Sequence, residues 1–270
     1  MTTPARHVAA ELEVYVSAAT ELEMQVTVAK SPGLTMTEQL SLTLDGEPVE
    51  AEEMVGECGS RIHRLWIEPG LFVIDYSADI HTPADPVPVG VTDRSMYLRP
   101  SRYAECDKFF GFAAGQFDTS LPPGRLLDDV TAFVEDRLSY IPGASDPIDG
   151  ATDTLLAGAG VCRDYAHLVV ALLRGLGIPA RLAAVYAPGC DPMDFHAVAE
   201  AIIDDEWVVV DATRLAPRQT LVRIATGRDA ADTAFLDNHG GSINLNYYKV
   251  TATVDGELPT DTGTERVRIR

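Results

Sequence analysis

The chain has 270 residues, 46% of them hydrophobic, which is enough for one large domain or two smaller ones, each with a full apolar core. Its 41 acidic and 21 basic residues leave a formal charge of -20, which repels phosphate backbones and anionic lipid surfaces and speaks against nucleic acid or membrane as a partner. No apolar run approaches the roughly 18 residues that span a bilayer, and Glu11 and Glu13 break the only candidate for a signal-peptide core. Four scattered cysteines form neither a disulfide framework nor a CxxC pair, so a reducing, cytoplasmic setting is expected.

From residue 8 to 81 the chain reads as strands. The segments "LEVYVSA", "LEMQVTVA", "LSLTLDG", "RIHRLWIE" and "GLFVIDYSADI" alternate apolar and polar residues or are rich in Val, Ile and aromatics. Turn residues separate them, which predicts a small antiparallel sheet or sandwich. The proline-rich stretch from His81 to Asp93 cannot continue a central strand and reads as a linker. The expected partition is a β-rich N-terminal domain over 1–95 and an α+β domain over 96–270.

The second part opens with a short helix in "SRYAECDKFFGFAAGQF". A longer one follows in "PPGRLLDDVTAFVEDRLSY", with Leu126, Leu127, Val130, Phe133, Val134 and Leu138 at helical spacing. After a helical turn in "TDTLLAGAG", residues 162 to 176 form the strongest helix, with Ala166, Val169, Val170, Leu173 and Leu176 on one face and a stop at "LGIPA". Strands then follow in "ARLAAVYA", "HAVAEAII", "EWVVVDAT" and "SINLNYYKVTATV", the second and third joined as a hairpin through "DDEW". The tail "ELPTDTGTERVRIR" reads as frayed.

Cys162 stands where the strongest helix begins, and a helix N-terminus favours a thiolate. Gly158 and Gly160 before it would let the backbone turn tightly and a substrate approach the sulfur. Taken alone, a buried structural cysteine explains the position equally well. A nucleophile needs a base and an orienter. His167 lies about 140° around the helix from Cys162 and reads as a packed or polar helix residue. His7, His63, His81 and His239 read as surface residues. His196 begins a strand after a loop, and Asp211 ends the next strand. A hairpin turning near Asp204 and Asp205 therefore sets the two side by side as a His–carboxylate pair.

Together "GAGVCRDYAHL", "DFHAVAEA" and "EWVVVDATRLAP" resemble the transglutaminase-like family, specifically over residues 150 to 230. The first hundred residues are similar in kind to the β-rich region that precedes this core in bacterial members. The resemblance implies a papain-like α+β core of helices packed on an antiparallel sheet. It makes Cys162 the nucleophile, His196 the general base and acid, and Asp211 the residue that orients the imidazole. The implied reaction is attack on an amide or peptide carbonyl through a thioester acyl-enzyme. Hydrolysis is favoured over transfer to an amine, because indiscriminate crosslinking in a cytoplasm is hazardous.

The expected partner is a peptide or protein amide substrate. No calcium-loop pattern is present, so neither metal nor cofactor is expected. The backbone N–H of Cys162 is one candidate oxyanion donor, with Tyr140 and Gln116 as candidates for the second. Arg163 and Asp164 match the family motif, and Asp164 also suits a first helical turn. Cys190 is expected to be partly exposed and not catalytic. "GRDAADTAFL" (227–236) reads as a connection with Arg228 and Asp229 at the surface, and as a candidate border of the substrate groove. Two competing readings are a non-enzymatic scaffold that has kept the fold, and a metal site built from Cys162, His196 and Asp211.

Overall fold

The structure is a computed structural model and describes residues 4–270. Among these residues no helix is long and apolar enough to cross a membrane.

The strand-rich start forms β1 (Arg6–Ala18), β2 (Thr20–Met24), β3 (Thr35–Leu44), β4 (Glu47–Pro48), β5 (Glu52–Val55), β6 (Arg61–Ile67) and β7 (Gly70–Thr82). In β1 every second residue from Arg6 to Val16 is buried, the period-2 signature of a strand with one face on a core. A short helix α1 (Asp93–Met96) and a loop lead to α2 (Phe110–Gln116) and α3 (Pro123–Arg137). Then come β8 (Ser139–Tyr140), α4 (Ala151–Ala157), β9 (Ala159–Gly160) and α5 (Cys162–Gly175). The remainder is β10 (Ala180–Tyr186), β11 (Phe195–Ile203), β12 (Glu206–Val210), β13 (Val222–Gly227), β14 (Leu236–His239) and β15 (Ser242–Val254).

Two sheets, in the orders β15-β1-β7-β3-β4 and β14-β2-β6-β5, enclose one apolar core and make a β-sandwich. A third sheet, β12-β11-β10-β13, is antiparallel throughout and carries α5 on one face. Tyr186, Val222, Ile224 and Ala225 of this sheet join the sandwich core, so the two parts share buried apolar surface. This is the expected α+β architecture, with β13 as a strand added to those read from the sequence.

Three expectations are corrected. The partition at 95/96 does not cut the chain into contiguous halves, because β14 pairs with β2 and β15 pairs with β1 along almost its whole length. β1 would otherwise be an unpaired edge, and β15 covers it. The tail is anchored rather than frayed: Asp261 makes a two-oxygen pair with Arg218, Val267 O accepts the Val209 N–H, and Ile269 is buried. His63, placed at the surface from sequence, is buried within β6.

Candidate functional site

Helix α5 is buried from Asp164 to Arg174, with β10 and β11 on one side and α3 and α4 on the other. Its start is locked by its own side chains. The Asp164 carboxylate accepts the Val161 N–H at 2.8 Å and the Ser145 hydroxyl at 2.9 Å, which is the N3 carboxylate of a capping arrangement. A Cβ on Gly160 would stand 2.7 Å from Asp164, so this glycine makes room for the cap rather than for a substrate. Gly158 ends α4 with φ +68°, the left-handed cap conformation that glycine adopts without strain.

The β11–β12 hairpin turns at Asp204 and Asp205, both at positive φ as a primed turn requires, and pairing runs from Ile203/Glu206 to Ala199/Val210. Asp211 lies just past the last β12 residue paired, and His196 three residues beyond Ala199 on β11, where it still pairs with Val185 of β10. Asp211 Oδ2 stands 2.8 Å from His196 Nε2, and both side chains are buried. The other carboxylate oxygen accepts the Thr213 N–H at 2.9 Å and its hydroxyl at 2.6 Å. With Nε2 committed to Asp211, Nδ1 is the ring nitrogen left for the neighbouring Cys162 thiol. Cys162 is half-buried and unpaired, with Sγ 3.8 Å from Phe195 O.

Burial alone would lower the His196 pKa. The charge of Asp211, its hydrogen bond and the neighbouring thiol reverse that and hold the imidazole well above its ordinary value. Burial would likewise raise Asp211, and the imidazolium with the Thr213 donors keeps it low. The group is therefore built to carry a positive ring between a carboxylate and a sulfur. It forms a line, with Asp211 on the ring nitrogen opposite the thiol, whereas a metal site needs donor atoms that converge on one point.

Of the two candidate second oxyanion donors, the structure brings only Tyr140 to the site. The β8–β9 bridge sets Tyr140 opposite Gly160, two residues before Cys162. Burial and the nearby charges of Cys162, Cys190 and Asp194 keep the Tyr140 hydroxyl protonated. Gln116 is exposed on α2, which packs through Ala113 and Phe109 against Gly175 at the opposite end of α5.

Cys190 is buried, not partly exposed, and burial pushes its thiol up, which disfavours a second nucleophile. In the 227–236 segment Arg228 is exposed and paired with Asp232, whereas Asp229 is buried and accepts the Tyr103 and Ala231 N–H groups. The segment's Phe235 stacks on Phe195 at 4.9 Å, so its end adjoins the residue before His196.

Sequence reading missed Thr213, Asp194 and Tyr248. "DAT" after a strand signals a carboxylate bonded two residues on. Asp194 lies two residues before His196, just ahead of β11. Tyr248 had no local signal, since its strand arrives from the other sheet.

His167 is buried as expected, stacked on Tyr103 at 5.2 Å, and Nε2 accepts the Ala230 N–H at 3.1 Å. Burial drops its pKa from 6.5 to about 3, so it stays neutral when folded. Below pH 6.5 the unfolded chain binds this proton and the folded chain does not, so stability is lost as pH falls. Relative to His167→Gln, urea unfolding should show the wild type losing about 1.4 kcal/mol per pH unit between pH 6 and 5. Parallel curves for the two proteins would refute this.

A helix-borne cysteine facing a His–Asp pair on an antiparallel sheet is the layout of papain-like thiol proteins. Residues 112–212 match the model of the transglutaminase-like superfamily. A candidate cysteine protease from Cytophaga hutchinsonii, of known structure, superposes with a TM-score of 0.88 at 30% identity, covering 100% of this chain and 96% of that one. The chain belongs to the transglutaminase-like superfamily. Curated relatives include an uncharacterized protein of Mycobacterium tuberculosis strain H37Rv, 31% identical over 157 residues (52% of this chain, 49% of that protein). Another is an uncharacterized protein of Mycobacterium leprae, 25% identical over 155 residues (54% and 56%). The chain thus spans about half the length of the curated relatives it matches.

Proposed function

We propose that this protein is a cysteine hydrolase that cleaves an amide or peptide bond with Cys162 as nucleophile, His196 as base and acid, and Asp211 as the orienting carboxylate. The observation that carries it is the Asp211–His196–Cys162 line, with Nε2 held at 2.8 Å and Nδ1 left to the thiol. His196 takes the thiol proton, and the sulfur adds to the carbonyl carbon while the C=O electron pair moves to oxygen. In this reading the Cys162 N–H and the Tyr140 hydroxyl donate to that oxygen. Collapse expels the amine, which leaves with the proton from His196, and a thioester remains. Water, deprotonated by His196, then attacks the thioester, and the carboxylate product and the free thiol are restored.

The full-length similarity to a candidate cysteine protease supports hydrolysis over amine transfer. Four unpaired cysteines support a reducing, cytoplasmic location. The scaffold reading has less support, because a triad kept only for packing would not need a buried imidazolium, which is costly to bury.

The test is alkylation of each cysteine by iodoacetamide, followed by mass spectrometry at pH 5 to 9. Cys162 should react at pH 6 at least about tenfold faster than Cys58, Cys106 and Cys190, and His196→Ala should abolish that advantage. Cleavage of a peptide-amide library should follow the same variants and yield free acid whether or not methylamine is added. An inert Cys162 would bring the scaffold reading forward, and methylamide products would indicate transfer.

A further inference from the structure

The mouth of the site holds a carboxylate without a counter-charge. Asp194 is only partly exposed; one of its oxygens accepts the Phe195 N–H at 2.7 Å and the other the Tyr248 hydroxyl at 3.3 Å. Several sheltered carboxylates in this molecule have an arginine: Glu38 has Arg61, Glu200 has Arg181 and Arg223, Asp232 has Arg228, and Asp261 has Arg218; Asp93 and Asp229 instead are buried on backbone N–H donors away from the sulfur. Asp194 joins no ion pair among the described residues, and its one cationic neighbour, His196, is already bound to Asp211. Burial pushes the Asp194 carboxyl up, which two hydrogen-bond donors only partly offset.

Its position is what gives this meaning. Asp194 is joined directly to Phe195, whose carbonyl oxygen lies 3.8 Å from the Cys162 sulfur, and Tyr248 bonds Asp194 itself, so the carboxylate and that phenol lie close to the nucleophile at one end of β11. A second negative charge beside a nucleophile that must become a thiolate is unfavourable. A cation entering with the substrate would remove that cost, and the rings of Tyr140 and Tyr248, 38% and 45% exposed, offer faces to it.

We propose that Asp194 is a specificity-determining residue that receives an ammonium or guanidinium group carried by the substrate next to the carbonyl that Cys162 attacks. The inference rests on Cys162 being the nucleophile. The cation can be the α-ammonium of a peptide N-terminus or a Lys or Arg side chain, since both present the same charge to the carboxylate.

The first experiment needs no turnover. Rates of Cys162 modification by the cationic aminoethyl methanethiosulfonate and the neutral methyl reagent are compared by mass spectrometry at low ionic strength. In the wild type the cationic reagent should react about tenfold faster. In Asp194→Asn, and in Asp194→Ser should the first variant fold poorly, the ratio should fall towards one. Asp191→Asn, which removes the same charge three residues earlier, should keep it. A ratio near one in the wild type, or one that survives both Asp194 variants, overturns the proposal. A Cys162 inert to both reagents overturns the nucleophile reading and this inference with it. Hydrolysis then separates the sources: a free N-terminus preferred over its acetylated form marks the α-ammonium, and acetyl-lysine amides preferred over acetyl-norleucine amides mark the side chain. Equal cleavage of all four also refutes the inference, while leaving the hydrolase standing.

Discussion

Asp211→Ala is expected to lower kcat/KM for amide hydrolysis by about 10³- to 10⁴-fold, the loss typical when the orienting carboxylate of a triad is removed. Two effects combine. The imidazole loses the partner at Nε2 that fixes which nitrogen carries the proton. It also loses the charge that overcomes burial and holds its pKa up. With that pKa raised, the imidazolium form persists below it and is lost as pH rises through it. Without Asp211 the burial effect is unopposed, so the pH at which the low-pH reactivity of Cys162 disappears should move down. Asp211→Asn should fall between wild type and alanine. Both Asp211 oxygens accept from N–H donors, His196 on one side and Thr213 on the other, and an amide can satisfy only one of them. Kinetics of the two variants, with urea unfolding to show that each still folds, decide the matter. Unchanged kcat/KM in Asp211→Ala would remove the triad from the mechanism.

Glu200→Ala should destabilise the fold by about 3–5 kcal/mol, the cost of leaving buried charge unpaired. Glu200 is fully buried on β11 between Arg181 of β10 and Arg223 of β13, at 2.9 Å and 2.7 Å. Arg181 also lies flat on Trp207, 3.6 Å from the ring centroid. Removing the carboxylate leaves two guanidinium groups close together with nothing between them. Burial would raise the Glu200 pKa, but the two arginines bring it down to about 2. The stability it contributes is therefore present above the ordinary carboxylate range and disappears as pH falls towards 2. Denaturant unfolding at pH 7 measures the effect, and a loss below about 1 kcal/mol would mean that water or a rearranged arginine compensates. Since β11 also carries His196, the same variant should blunt the reactivity of Cys162 before the protein unfolds.

Much of the site could be read from local pattern. Helix α5 follows from a 3.6-residue apolar spacing closed by Gly177 and Pro179, and the β11–β12 hairpin from two apolar runs around "DDE". Those two elements alone place Cys162 at a helix start and His196 beside Asp211, because helix caps and tight hairpins are decided by residues a few positions apart. Tyr140 was within reach as a candidate, though only the two-residue β8–β9 bridge separates it from Gln116.

Other features depended on residues far apart in the chain. The alternation in "SINLNYYKVTATV" announces a strand with one buried face, yet nothing in it names β1, more than 230 residues earlier, as the neighbour. That pairing brings Tyr248 to Asp194, just as docking of the tail shelters the Arg218–Asp261 pair and burial of Asp229 ties the post-triad loop to Tyr103. Period and turn chemistry are local and so were legible in the order of residues. The choice of which buried charges meet, and which carboxylate at the mouth of the site is left without a counter-charge, depends on how three sheets close around shared apolar surface, and tertiary packing alone decides it.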